Sequence, residues 1–313
     1  MKRVVSISLG SSKRNHAVIT EILGEKFSIE RIGTDGDVKK AMEMIRSLDG
    51  KVNAIGLGGT DLYIYAGGKR YAIKESLKLK NCAQVTPVVD GSGLKNTLER
   101  RVICYLEKKL GFSFHNKKIL IVSAVDRFGM AEALESRGAF LTLGDLMFAL
   151  GIPLALHSLK SIAWAARLLT PVIVHLPIKM LYPTGNSQGK TKPKYGKYYH
   201  EADIIAGDFL FIKKYLPARI QGKMIITNTV TPDDIEDLRS RGLEILVTTT
   251  PELNGRSFGT NVMEGLVVTV AGKKFEELTT KDYENVLDRI GFKPRVEYLQ
   301  QPVQKHLGEL EVN

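Results

Sequence analysis

Apolar and polar positions along this chain alternate with two different periods, and the switches between them mark its elements. Residues 3–9 (RVVSISL) are β-branched and apolar and stop at Gly10-Ser11-Ser12, the pattern of a strand entering a turn. A helix is predicted over 15–23, then a strand over 27–32 and a helix over 38–48 between Gly36 and Gly50. A third strand over 54–57 runs into Gly58-Gly59-Thr60-Asp61. The stretch LYIYAGGKRYAIK carries alternating apolar residues on both sides of Gly67-Gly68 and reads as a hairpin. Helical spacing returns at Leu94, Leu98, Val102, Tyr105, Leu106 and Leu110, closed by Gly111.

Past that helix the alternation becomes strand–helix–strand. The series runs 119–122, 129–137, 139–143, 162–169 and 172–176, and resumes with 204–206, 223–227, 235–241, 245–248 and 266–270, with a strand expected at 172–176 (VIVHL). Strands alternating with helices predict a parallel, doubly wound sheet that binds ligands at the carboxyl ends of its strands. The fold class is therefore α/β in two domains. Residues 1–100 form a small substrate-binding α/β unit, onto which 275–313 packs back. Residues 101–274 form a Rossmann-like dinucleotide-binding unit. Between strands, 183–200 (PTGNSQGKTKPKYGKYYH) has no apolar period and is either a lid or a solvated insertion.

Composition narrows the class. With 313 residues, 43% of them hydrophobic and 25% charged, the chain has material for two domains with buried cores. Its net charge of +11 suits an anionic ligand as well as nucleic acid, but no recognition-helix, zinc-finger or RNP-like pattern accompanies it. No apolar run reaches the length of a membrane span, and Cys82 and Cys104 lack metal-ligand spacing. The expectation is a cytoplasmic protein with a small-molecule ligand, no metal and neither membrane nor nucleic acid as partner; a homodimer is the oligomer to test for.

A dinucleotide needs a tight turn after the first strand of its domain. Here the turn is Ser123-Ala124-Val125-Asp126-Arg127-Phe128-Gly129, mostly small but short of two of the usual three glycines, with Arg127 offsetting Asp126. Asp145 follows the next strand about 20 residues on, where a ribose-binding carboxylate stands, and such a carboxylate favours NAD over NADP by repelling a 2′-phosphate. An N-cap of the following helix is the other reading of Asp145.

The passage from Asp90-Gly91-Ser92-Gly93-Leu94 through Leu98-Glu99, Leu110-Gly111-Phe112, Lys117-Lys118-Ile119-Leu120-Ile121-Val122, Ala131-Glu132-Ala133-Leu134 and Gly138-Ala139 resembles the shikimate/quinate dehydrogenase family. The segment Ser11-Ser12-Lys13-Arg14-Asn15-His16 is similar to that family's carboxylate-holding segment. The resemblance implies that Asp90 bonds a substrate hydroxyl beside a catalytic lysine and that Ser11, Ser12 and Asn15 bind substrate. It also implies hydride transfer between a nicotinamide and a secondary alcohol of a small polyhydroxy acid. The family's lysine segment has no counterpart here. Lys69, Arg70 and Lys74 lie in the same region, and Lys74 is the choice among them. Such a lysine takes up a proton only if its pKa falls from roughly 10.4, whereas Asp90 would raise it. A nucleotide or metabolite sensor without turnover, and a transferase using the same strand edge, are the competing readings.

Overall fold

Two parallel sheets, with their carboxyl edges turned toward a common cleft, organise the molecule. The computed structural model describes residues 1–66, 69–182, 191–253, 256–273 and 275–300. The turn expected at Gly67-Gly68, residues 183–190 of the long loop and the tail from 301 lie outside them.

The first sheet is built from β1 (Lys2–Ser8), β2 (His16–Ile22), β3 (Glu25–Gly33), β4 (Ala54–Gly58) and β7 (Val88–Val89), in the order β2-β3-β1-β4-β7. All its pairings are parallel except β2 on β3. Helix α1 (Val38–Leu48) buries Ala41 and Ile45 on one face. The hairpin β5 (Tyr63–Ala66) and β6 (Lys69–Ala72), then α2 (Lys74–Lys80), fill the β4–β7 crossover. The helix predicted over 15–23 is strand β2. Its register with β3 is set by a two-residue turn in which Leu23 and Gly24 both take positive φ, the twist a tight hairpin requires. Val18 faces inward and Ile19 outward, so the true period is two.

Helix α3 (Ser92–Leu110) leaves this sheet and ends at Gly111, φ +72°. The second sheet contains β8 (Lys118–Ile121), β9 (Phe140–Leu143), β10 (Ile204–Ala206), β11 (Met224–Thr227), β12 (Ile245–Thr248) and β15 (Arg295–Tyr298), in the order β9-β8-β10-β11-β12-β15. Only β15 is antiparallel. Helices α4 (Phe128–Glu135), α5 (Asp145–Phe148), α6 (Leu159–Ile173), α7 (Ile178–Leu181), α8 (Gly196–Glu201), α9 (Phe209–Tyr215) and α10 (Pro232–Ser240) make its connections. The strand order reverses between β8 and β10, which places the ligand-binding crevice there.

Two apolar stretches of the series are helical, one of them, 172–176, against the strand expected there. Residues 172–176 are the end of α6 and the turn after it, because Ile162, Ala166 and Thr170 set a helical face that runs on past Pro171. Residues 266–270 lie inside α11 (Thr260–Ala271), which follows the small ribbon β13 (Glu252–Leu253) and β14 (Arg256–Ser257). Apolar on nearly every side, α11 is buried against β1, β4, β7 and α3. The return to the first sheet thus starts at Thr260 rather than at 275, and α12 (Thr280–Arg289) packs on α3 and α11 before β15 crosses back. One buried cluster joins Val4 and Ile29 of the first sheet, Leu98 and Val102 of α3, Val267 of α11 and Ile121 of the second sheet. The architecture is α/β with a small N-terminal domain and a doubly wound, Rossmann-like one, welded through α3 and α11.

Candidate active site

The cleft between the sheets has a volume of about 750 Å³ and collects residues from the carboxyl ends of β1, β4, β7, β8, β10 and β11. Helix α6 roofs it with Ile162, Ala166 and Thr170, and Tyr182 hangs from the end of α7.

Its chemical centre is Lys95, in the first turns of α3. The ammonium donates to Asp61 at 2.9 Å and to Asp126 at 2.5 Å, and its side chain is only 9% exposed. Asp61 ends the Gly-Gly-Thr-Asp loop after β4, and Asp126 lies in the turn after β8, so Lys95 ties the two domains together. Nothing among the described residues takes its third hydrogen. Beneath it Arg127, fully buried, is paired with Glu99 of α3 and lies 3.7 Å from Asp208 beyond β10. Asp90 stands close enough to raise Asp61 further. Five carboxylates thus surround two cations.

That excess decides the ionisation. Burial opposes the charge on Lys95, but Asp126 and Asp61 outweigh it and hold the ammonium well above its ordinary pKa. Burial and Asp126 push Asp61 up to about 7, with Lys95 opposing. Burial works against ionised Asp126 too, yet Lys95 and Arg127 overcome it and its pKa falls. Burial lifts Glu99 to about 7 in spite of Arg127. Tyr182 is kept protonated by burial and by the nearby Asp61 and Asp126. The result is a fixed cation beside a carboxyl that changes protonation near neutral pH.

Asp90 lines the cleft, but its oxygens serve the backbone. They accept from Leu62 N at 2.5 Å and from Ser92 N and Oγ at 3.0 and 2.6 Å, anchoring the start of α3. Gly91 takes φ +96°, and a Cβ there would stand 2.9 Å from Asn261 N, so the Asp-Gly-Ser-Gly turn exists in part to dock α11. Glu264 of α11 completes that joint, accepting from Gly91 N at 2.7 Å, Leu94 N at 3.0 Å and the Tyr283 hydroxyl at 3.1 Å. Burial, with Asp90 adding to it, raises Glu264 to about 8.

Lys74 is exposed at the head of α2 and is not in the cleft; its amide bonds Val174 O. The site lysine is Lys95, and its pKa rises where a fall was required. Ser11, Ser12 and Asn15 do not line the cleft either. They close the turn after β1, with the Ser11 carbonyl accepting from Arg31, Ser12 N donating to Asp35 and Asn15 Oδ1 accepting from Gly33 N. Their neighbours Ser6, Ser8, Arg14 and Arg31 face the cleft instead.

At the turn after β8, Asp145 accepts from Ala124 N at 2.9 Å and Val125 N at 2.8 Å, and burial raises it to about 6 against those two bonds. Ser123 Oγ accepts from Asp208 N. Arg127 is spent on Glu99, and Gly129 lets α4 touch α3, since a Cβ there would fall 2.1 Å from Asn96 Oδ1. A dinucleotide's pyrophosphate needs open amides at this turn and no fixed charge of its own sign. The donors it would use face a carboxylate already, and ionised Asp126 guards the head of α4. In this arrangement the turn does not fit a pyrophosphate.

Fold and site together define a two-domain α/β protein with a charged, buried interdomain cleft. The chain belongs to the family described as Domain of unknown function (DUF8754), whose model matches residues 93–299; a second, Domain of unknown function (DUF8753), matches residues 3–90. Comparison with curated proteins gives no match. Solved structures with a similar layout include L-tryptophan dehydrogenase from Nostoc punctiforme, 12% identical over 92% of this chain and 80% of that one, TM-score 0.37. An NAD-dependent malic enzyme from Thermotoga maritima is 13% identical over 93% and 85%, TM-score 0.34. A galactofuranose-binding protein is 14% identical over 93% and 99%, TM-score 0.34. Likenesses this distant carry no argument about this chain.

Proposed function

We propose that the chain is an enzyme that moves a proton on and off an oxygen of a small polar acid held in the interdomain cleft. The observation that carries this reading is Lys95 clamped between Asp61 and Asp126 with one hydrogen uncommitted. In the reading, that hydrogen binds the substrate's hydroxyl or carbonyl oxygen, and the permanent ammonium stabilises negative charge growing on it. Asp61, near neutrality in pKa, takes the hydroxyl proton or returns it, with the Tyr182 hydroxyl beside it. Arg14 and Arg31, on the same wall as Ser6 and Ser8, suit a carboxylate on the substrate.

The oxidoreductase form of this reading has a secondary alcohol of a quinate- or shikimate-like acid as donor and NAD, in preference to NADP, as acceptor. Its support is the order of segments from Asp90 to Asp145; Asp145 itself, bonded to Ala124 N and Val125 N, and the turn after β8 do not add to it. Purified protein is mixed with NAD or NADP and a panel of polyhydroxy acids, and absorbance at the nicotinamide band is followed. Reduction that is lost in Asp61→Asn, with circular dichroism unchanged, supports this form. Binding of the acids without any conversion would favour a sensor, and Asp61→Asn turning over at the wild-type rate would remove Asp61 from the chemistry.

A further inference from the structure

Helix α6 has two apolar faces, and only one of them is used. Ile162, Ala166 and Thr170 point into the cleft, whereas Trp164, Leu168 and Val172, four residues apart on the opposite side, are 69%, 60% and 67% exposed. Leu154 before the helix and Met180 after it are exposed as well. A helix apolar on both sides is ordinarily covered on both. Lys160 extends the same row by one turn and Arg167 flanks it, both exposed.

The charge around this face is one-sided. Residues 146–200 contain no Asp or Glu, but seven Lys or Arg, in a chain that elsewhere averages about one acid in eight residues. Part of that basic run lies beside the same region, because the Tyr195 hydroxyl bonds Gly151 O next to exposed Ile152 and Leu154. Pairing with a second copy across a two-fold axis would set the basic, acid-free segment 146–200 against itself, with like charges opposed. A protein partner would need acceptors as well as donors to meet. The exposed side chains of the row offer apolar groups and cations only. Tryptophan and leucine in one row, with lysine and arginine at its edges, suit the boundary between anionic headgroups and acyl chains.

We infer that the outer face of α6 docks the protein peripherally on an anionic membrane surface, the helix lying in the plane of the headgroups. Such docking needs no spanning segment, and no helix among the described residues is long and apolar enough to cross a membrane. The inference is independent of the acid–base reading, since it uses the opposite side of the helix.

Trp164 is the only tryptophan in the chain, so its emission reports on this face alone. Full-length protein is sedimented with phosphatidylcholine vesicles with and without phosphatidylglycerol, and emission is recorded. Docking predicts sedimentation and a blue shift with the anionic vesicles only, weakened in high salt. It also predicts partition at least about thirtyfold weaker in a Lys160→Glu/Arg167→Glu variant and loss of binding in Leu168→Glu, circular dichroism being unchanged in both. Protein left in the supernatant with unshifted emission overturns the inference. So does a blue shift that grows with protein concentration, without lipid and with a dimer's mass by light scattering.

Discussion

Replacing Lys95 by Met probes both the stability and the chemistry of the cleft. The methionine keeps most of the side chain's volume, so packing changes little. What disappears is the cation between Asp61 and Asp126, at 2.9 and 2.5 Å, in a site where the lysine side chain is 9% exposed. Removing one partner from a buried ion pair costs about 3–5 kcal/mol, because the other is left uncompensated. The loss must depend on pH. Asp61 already titrates near 7 when folded, against 3.8 as its ordinary value, so the folded state binds its proton more tightly than the unfolded one. Its contribution to stability is therefore greatest at low pH and is lost as pH rises from about 4 through 7. Without Lys95 the raised Asp61 moves further up and the lowered Asp126 rises, and the variant should lose stability more steeply than the wild type, by up to about 1.4 kcal/mol per pH unit for each extra proton. Urea unfolding at pH 5 and pH 8 measures this. Most of the 3–5 kcal/mol should appear at pH 8 and a much smaller part at pH 5. An equal loss at both values, or none at either, would refute the charge balance argued for the cleft.

Other substitutions separate structural from chemical roles. Glu264→Gln keeps one acceptor oxygen, for Gly91 N or for Leu94 N and the Tyr283 hydroxyl, and turns its NH2 toward the other, so it should cost about 1–2 kcal/mol in urea unfolding, whereas Glu264→Ala should cost roughly 2–4 kcal/mol, since three donors lose their partner. Because Glu264 titrates near 8 when folded, the wild type should weaken as pH rises from 4.5 through 8, and Glu264→Gln should flatten that slope. Gly91→Ala meets both a positive φ and a 2.9 Å contact, and should lower the urea midpoint by the equivalent of about 2 kcal/mol or more. Asp145→Asn keeps an acceptor for only one of the two amides and should cost about 1–3 kcal/mol; titration with inorganic pyrophosphate should show tighter binding than to wild type if Asp145 is what fills the turn.

The parallel sheets were legible because their strands are short apolar runs bounded by turns, and α3 because Leu94, Leu98, Val102 and Leu106 keep a helical period to a terminal glycine. Strand β2 was not, since HAVITEI fits either period and only the Leu23-Gly24 turn and the β3 edge decide it. Residues 266–270 gave no signal of the helix around them because a helix buried all round has no polar face to set its phase. At the site, motif order led to Asp90, which does line the cleft, and away from Lys95, whose partners are 31 and 34 residues distant in sequence. One local sign did exist. A lysine near the start of a helix opposes the helix dipole, and a residue placed against a local rule is where function or a special partner is to be sought. Asp145 was found at the right distance but with only half its environment, because spacing cannot say that two backbone amides already face it.

The charge balance of the cleft requires a carboxyl able to exchange a proton near neutral pH beside a permanently charged lysine. A carbon-13 NMR titration of the aspartate carboxyls, with the Asp61 resonance assigned by its loss in Asp61→Asn, tests this without any substrate. The account predicts an Asp61 midpoint near 7 in the wild-type protein, moving higher in Lys95→Met. An Asp61 resonance that titrates near 4 and ignores the loss of Lys95 would contradict it.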